Sequence, residues 1–396
     1  MKKISFFLNC AASAMFAIAL TACNATEDNP TGFDPSLKNV TIQSGDTLSL
    51  KISEIAEKTA GDEIFVEIPA GVDTVYTGEI TTPYGKKVTI VSDETIPTVI
   101  KATAPIILSN KLALKNVIVN AGALDASDNL FTYNAEPDES LKGATGSGSM
   151  YNILGEAVKF ENVVFDSIPG GLLADNGKAY VPEEVIIDNC IIQFVPKAAN
   201  KNAFQFNTNN NGIKNLTINN SSVYATGGKR LGYFVKYGNN ARIDRFGYDN
   251  TKDKIEFHYN NNTFYGLCSN YFHNYGTALK NYAIFDVTNN IFYYDNTNYA
   301  QTSQIVQRIV GQKGKAAGTE LNFDGNAFLY NGEPYDCNQE TNKQSYDVDT
   351  NSVGIDPQFR DAAEGNFRPT NLKFLNLEDI PGDPRWVDWV NRYKKN

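Results

Sequence analysis

One imperfect sentence recurs six times between residues 155 and 335: an alternating apolar strand, an Asn, then a second short strand that usually carries an aromatic. The copies include Val158-Lys-Phe-Glu-Asn162-Val-Val-Phe165, Val185-Ile-Ile-Asp-Asn189-Cys-Ile-Ile192 and Leu216-Thr-Ile-Asn-Asn220-Ser-Ser-Val-Tyr224. Three more centre on Asn262, Asn290 and Asn326, and Asn116 in Leu112-Ala-Leu-Lys-Asn116-Val-Ile-Val119 reads as a seventh. A repeat of this length marks a solenoid, in which each turn buries its apolar face only against the turns above and below.

Successive anchors lie 27, 31, 42, 28 and 36 residues apart, so a base period near 27–31 carries two insertions. Helical repeats would place apolar residues three and four apart, whereas these segments alternate with period two and favour Val, Ile, Phe and Tyr. The expected fold is therefore all-β: a right-handed parallel β-helix, one rung per repeat. Asparagine suits the corner of a rung because it tolerates left-handed backbone angles and its amide can bond the same amide one turn away. An inward asparagine ladder is the expectation.

The ends carry different signals. Residues 50–61 have apolar residues at helical spacing and finish on Gly61, which predicts a helix over the first open end. Residues 383–395 begin with Asp383 as N-cap and Pro384 at the first helical position, with Trp386, Trp389 and Tyr393 on one face. That pattern predicts a terminal helix covering the last rung. Between the two, residues 39–120 supply the first rungs, 121–150 read as a polar loop or internal linker, 151–335 as the main β-helix and 336–396 as a C-terminal cap.

At the N-terminus, Lys2, Lys3 and an apolar run to Leu20 lead into Leu20-Thr-Ala-Cys23. This resembles a secretion signal over residues 1–22 with a bacterial lipobox, which implies lipidation of Cys23 and anchoring of a tether, residues 23–38, in the outer membrane. Removing residues 1–22 takes two lysines and no acid, so 33 basic residues face 45 acidic ones and the formal charge is −12. Nucleic acid is an unsuitable partner for such a chain. Beyond Cys10 and Cys23 there are Cys190, Cys268 and Cys337, an odd number without a Cys-x-x-Cys pair, so neither a disulfide framework nor a zinc site is expected. A Cys268–Cys337 bridge stays open.

The strand and turn of residues 63–71, the Asn-x-Phe/Tyr rungs and the tail Val353-Gly-Ile-Asp356-Pro-Gln-Phe359 through Gly382-Asp383-Pro-Arg-Trp386 resemble a family of Bacteroidetes surface lipoproteins of the pectin-lyase-like superfamily. The resemblance implies a β-helix displayed on the cell surface and associated with polysaccharide utilisation. Glu27 and Asp28, close after Cys23, resemble the export signal of that phylum. Members of the wider superfamily include polysaccharide lyases and hydrolases, so both a noncatalytic binder and an enzyme are open, as is a structural or protein-binding envelope component.

No His-Glu-x-x-His, Gly-x-Ser-x-Gly or Walker motif is present. Asp347-Val-Asp349-Thr-Asn351 starts like a calcium loop, but Ser352 stands where the turn glycine belongs and Gln358 where the bidentate acid belongs, so no cofactor is expected and calcium is a weak alternative. The most suggestive stretch is residues 229–245, with Lys229, Arg230, Lys236, Arg242 and Arg245 against one acid, Asp244, in the largest gap between anchors. For a lyase, Lys236, Arg230 or Arg242 would neutralise a uronate carboxylate while a base removes the adjacent proton. For a binder, Tyr233, Tyr237 and Tyr275 would stack on sugar rings, with Arg245 and His273 in polar contacts and an acidic polysaccharide as ligand. His258, alternating with Phe257 and Tyr259, reads as a packed or rim residue.

Overall fold

The computed structural model describes residues 40–56, 61–78, 80, 86–134, 151–175, 180–206, 212–238, 254–274, 283–294, 309, 319–334 and 351–387. Strands alternate among three faces as the chain winds, giving a right-handed parallel β-helix. The first sheet holds ten strands, from Val40–Thr41 and Glu63–Ile68 at one end to Ala283–Thr288 and Glu320–Asp324 at the other. The second also holds ten, from Thr74–Tyr76 to Ala327–Tyr330, closed by the short antiparallel strand Glu333–Pro334. The third holds six, from Ile106–Leu108 to His273–Asn274.

Registers confirm that the Asn-centred copies are equivalent. Val185 pairs with Leu216, Leu216 with Phe257 and Phe257 with Phe285, so the repeat positions lie one above another in the first sheet. Inward positions form one continuous core in which like rings stack from rung to rung. Phe264, Phe292 and Phe328 are spaced 5.0 and 5.6 Å between centroids and are nearly parallel. Offset aromatic contacts of this kind add about 0.5–1.5 kcal/mol each beyond their buried area.

The corners divide the asparagine's two tasks between adjacent positions. The left-handed residues are Asn116, Asn162, Asn189, Asn220, Asn261, Asn289 and Gly325, with φ between 51° and 65°. The first four are the anchors expected from the repeat. In the last three rungs the left-handed residue falls one position before the expected Asn262, Asn290 and Asn326, because runs such as Asn260-Asn-Asn262 offered several candidates. Asn262, Asn290 and Asn326 instead point inward and are fully buried.

These three form the inner ladder. Asn262 donates from both its backbone N and Nδ2 to Asn290 Oδ1 (2.9 and 3.0 Å), and Asn290 does the same to Asn326 Oδ1 (3.0 and 2.9 Å). Their Nδ2 groups also donate to the carbonyls of Ile218, Tyr259 and Val287. Towards the N-terminal rungs Ser221 and Cys190 continue the column: Ser221 N donates to Asn262 Oδ1, and Cys190 N to Ser221 Oγ. Backbone groups that a turn removes from the sheets are thereby satisfied without water, which their burial demands.

Two boundaries differ from the sequence reading. Residues 121–150 include the strand Asn129–Tyr133, paired with Ile106–Leu108 and Gly171–Asp175, and Leu112–Lys115 pairs directly with Tyr151–Glu161. The segment read as a linker is thus partly a rung, with Leu-Phe-Thr-Tyr hidden in polar surroundings; residues 135–150 lie outside the described set. The N-terminal helix is Leu48–Ala56, and its Leu48, Ile52 and Ile55 join the core beside Ile42 and Ile64. Cys190 and Cys268 are buried free thiols, and burial pushes the Cys190 thiol up to about 12.

The C-terminal segment departs most from expectation. Residues 353–387 start on the outer face of the last rung and run back from it along the outside of the second sheet. Phe359 and Phe367 pack on Tyr265, Phe367 also on Tyr224, and Phe374 joins a cluster with Ile291, Ala327 and Leu329. The described start of the terminal helix, residues 384–387, lies beside Asn189 and Ser222, four and three rungs before the end. An amphipathic helix specifies that one face must be buried, not which rung buries it.

Candidate functional site

Of the three outer walls, the second is occupied by the C-terminal segment over its later rungs. Tyr224, Tyr265 and Tyr293 share one outward row there, and Phe359 and Phe367 lie against them. The first and third walls carry the candidate chemistry.

The third wall holds most of the described residues singled out from the sequence. In the strand Tyr233–Tyr237, Phe234 and Val235 are both fully buried, so Tyr233 and Lys236 flank them on the outside. The Lys236 ammonium sits 6.0 Å from the centre of the Tyr233 ring, at the outer limit of a cation–π contact. Lys236 is in register with Gln205 one rung before and Asn274 one rung after. An aromatic face, an ammonium and two amides therefore line one side of adjacent rungs, whose spacing is about 4.8 Å.

Two expected sugar contacts are overturned by burial. Tyr237 is 2% exposed: its ring stacks on Phe257 at 6.0 Å, meets Phe206 edge-on and fills the space that Gly212 leaves open. His273 is fully buried, ringed by Phe257, Tyr259, Phe272 and Phe285. Its Nε2 accepts from the Tyr259 hydroxyl (2.8 Å) and its Nδ1–H donates to the Ile309 carbonyl, the arrangement of a neutral imidazole. Burial holds the His273 pKa down at about 3, against the smaller opposing effect of the Ile309 carbonyl. Neither residue can touch a glycan lying on the outside.

Arg230 donates to the carbonyls of Gly227 (2.8 Å) and Lys229 (3.3 Å), and Lys229 to that of Lys197. Lys197 in turn donates to Gly122 and Leu124, and Lys201 to Ser127. The lysines hold the turns between the second and third sheets to the turns of earlier rungs and Arg230 braces its own turn, which explains part of the basic stretch without a ligand. Arg242, Arg245, Tyr275 and Cys23 lie outside the described residues, as do Asp347 and Asp349 of the calcium-like loop. Asn351 of that loop donates to Asp324 at 2.6 Å.

The first wall contains a cluster that the sequence reading missed. His258 projects outward between Glu256, whose carboxylate is 2.9 Å from Nε2, and Asp286 on the next rung, 3.4 Å from Nδ1. Thr217 and Asn322 extend the same row, and Lys254 pairs with Glu320 nearby. The signal was present in the spacing: His258 and Asp286 are 28 residues apart, as are Asn262 and Asn290. Among the described residues no group of three or more His, Cys, Asp or Glu could hold a metal ion. No family model matches the chain, and no curated protein matches it.

Proposed function

We propose that the chain is a surface-anchored lipoprotein that binds polysaccharide along one wall of its β-helix without cleaving it. The observation that carries this reading is the Tyr233–Lys236 unit on the third wall, in register with Gln205 and Asn274. An extended glycan needs a long, regularly spaced surface with ring faces for its apolar sides and hydrogen-bonding groups for its hydroxyls. Stacked rungs supply the regularity, Tyr233 the ring, and Lys236 a charge for a carboxylate or sulfate.

A second reading, hydrolysis or elimination, is favoured by one observation. Glu256 and Asp286 flank His258 on the open first wall, and paired carboxylates are what glycoside hydrolysis uses. The two readings separate in one experiment. The mature chain is offered a panel of acidic and neutral polysaccharides, with retention, new reducing ends and ultraviolet-absorbing unsaturated products all measured.

The binding reading predicts retention without products and about a tenfold loss of affinity in Tyr233→Ala, the scale of one stacking and cation–π contact. Undiminished affinity in Tyr233→Ala, or no retention of any glycan, would refute it. Products abolished by Glu256→Gln would establish the enzymatic reading instead. Anchoring is tested separately: metabolic labelling with a fatty acid marks the wild-type chain and not Cys23→Ser, and labelling of both removes the anchor from the proposal.

A further inference from the structure

A solenoid is ordinarily coupled only from each rung to the next, so its last rungs fray first. In this molecule the C-terminal segment crosses that rule. Val353 N donates to the Asn326 carbonyl (2.8 Å) and Gly382 N to the Asn289 carbonyl (2.7 Å). Asp383 N donates to Thr263 Oγ1 (3.2 Å), and the Asp383 carboxylate accepts from Ser222 Oγ (2.7 Å), which itself accepts from Trp386 Nε1 (2.8 Å). Arg385 Nη2 reaches the carbonyl and Oδ1 of Asn189 (2.9 and 2.6 Å). Five consecutive rungs, from Gly325 back to Asn189, each receive at least one of these bonds.

The attachment points are specific. The outward row of the second sheet is apolar at Val164, Ile191, Ile291 and Ala327 but carries hydroxyls at Ser222 and Thr263, the two that engage Asp383. The corner amide ladder runs from Asn116 through Asn162 to Asn189 and then breaks, because Asn220 donates to Asp188 rather than to Asn189. Arg385 occupies the acceptor left at that break. It is fixed there by a 3.0 Å ion pair to Asp383, the side chains being 3% and 0% exposed.

We propose that residues 353–387 form a clasp that bridges the break in the asparagine ladder and makes the last five rungs open as one unit rather than fray from the end. Hydrogen exchange on the full chain, followed by mass spectrometry, tests this. In the wild type, Ala283–Thr288, Ile291–Tyr294, Glu320–Asp324 and Ala327–Tyr330 exchange at the same rate as Tyr180–Asp188. In Arg385→Met, which removes the ion-pair partner of the buried Asp383, the last two rungs exchange on the order of a hundredfold faster while Lys87–Ser92 changes less than about twofold.

Trp386→Phe keeps an aromatic ring beside Phe367 but removes the donor to Ser222, and it gives the same pattern at smaller amplitude, so the test survives if the arginine variant does not fold. Equal acceleration in every rung, or unchanged protection of the last two rungs after either substitution, would overturn the clasp.

Discussion

His273 makes the chain's stability fall with acid in a way that can be calculated. In the unfolded chain its imidazole takes a proton near pH 6.5, whereas in the folded core the proton is refused until about pH 3. A histidine whose folded pKa is depressed favours the folded state fully above pH 6.5. That contribution is lost as pH falls from 6.5 towards 3, because only the unfolded chain gains the proton. At pH 5 the unfolded pKa is 1.5 units away, worth about 2 kcal/mol at about 1.4 kcal/mol per unit, and the loss approaches about 5 kcal/mol near pH 3.

The assay is urea unfolding between pH 7.5 and 4 for the wild type and His273→Gln, which keeps hydrogen-bonding groups but does not titrate. The variant starts less stable at neutral pH because it loses the ring contacts with Phe257 and Tyr259. Its stability falls less steeply, and the two curves converge by about 2 kcal/mol at pH 5. Every other titrating group is common to both proteins and largely cancels in the difference. Parallel curves would mean that His273 reaches solvent when protonated, and the buried placement would be wrong.

Three further substitutions test the corners and the packing. Asn290→Ala strips Asn262 N and the Tyr259 carbonyl of buried partners and costs about 3 kcal/mol or more, whereas Asn289→Gly, which places at that corner the residue that Gly325 already provides one rung later, costs less than about 1 kcal/mol. Denaturant midpoints decide between them, and equal losses would contradict two separate columns. Gly212→Ala puts a methyl 2.7 Å from the Tyr237 ring and destabilises by about 1–3 kcal/mol, read as a lower melting temperature. An unchanged melting temperature would show that the ring does not sit there.

The rungs were legible because period-two alternation and a corner residue with left-handed tolerance are both local properties. Asn116, Asn162, Asn189 and Asn220 fall at the predicted corners for that reason. The position of the corner within Asn260-Asn-Asn262 was not legible, since any of three asparagines satisfies the local rule and only the next rung selects among them. Tyr233-Phe-Val-Lys-Tyr237 misled in a related way. Two adjacent buried residues shift the phase of the strand, so Tyr237 goes inside while Tyr233 stays out.

His273 shows the same limit at longer range, because its burial depends on Ile309 and on rings from neighbouring rungs. The Arg385–Asn189 contact joins residues 196 apart, and no local pattern announces it. The His258–Asp286 pair lay between these extremes. It could have been found by applying the 28-residue rung to charged residues as well as to asparagines.

Rung-on-rung stacking is decided by oxidising paired cysteines. Ile186 and Thr217 are register partners on the outer side of adjacent parallel strands, whereas a hairpin turning at Asn189 would set Ile186 opposite Ile192. Cysteines placed at 186 and 217 form a disulfide within the monomer, and cysteines at 186 and 192 do not. Closure of the 186–192 pair with failure of the 186–217 pair would contradict the β-helix and everything built on its walls.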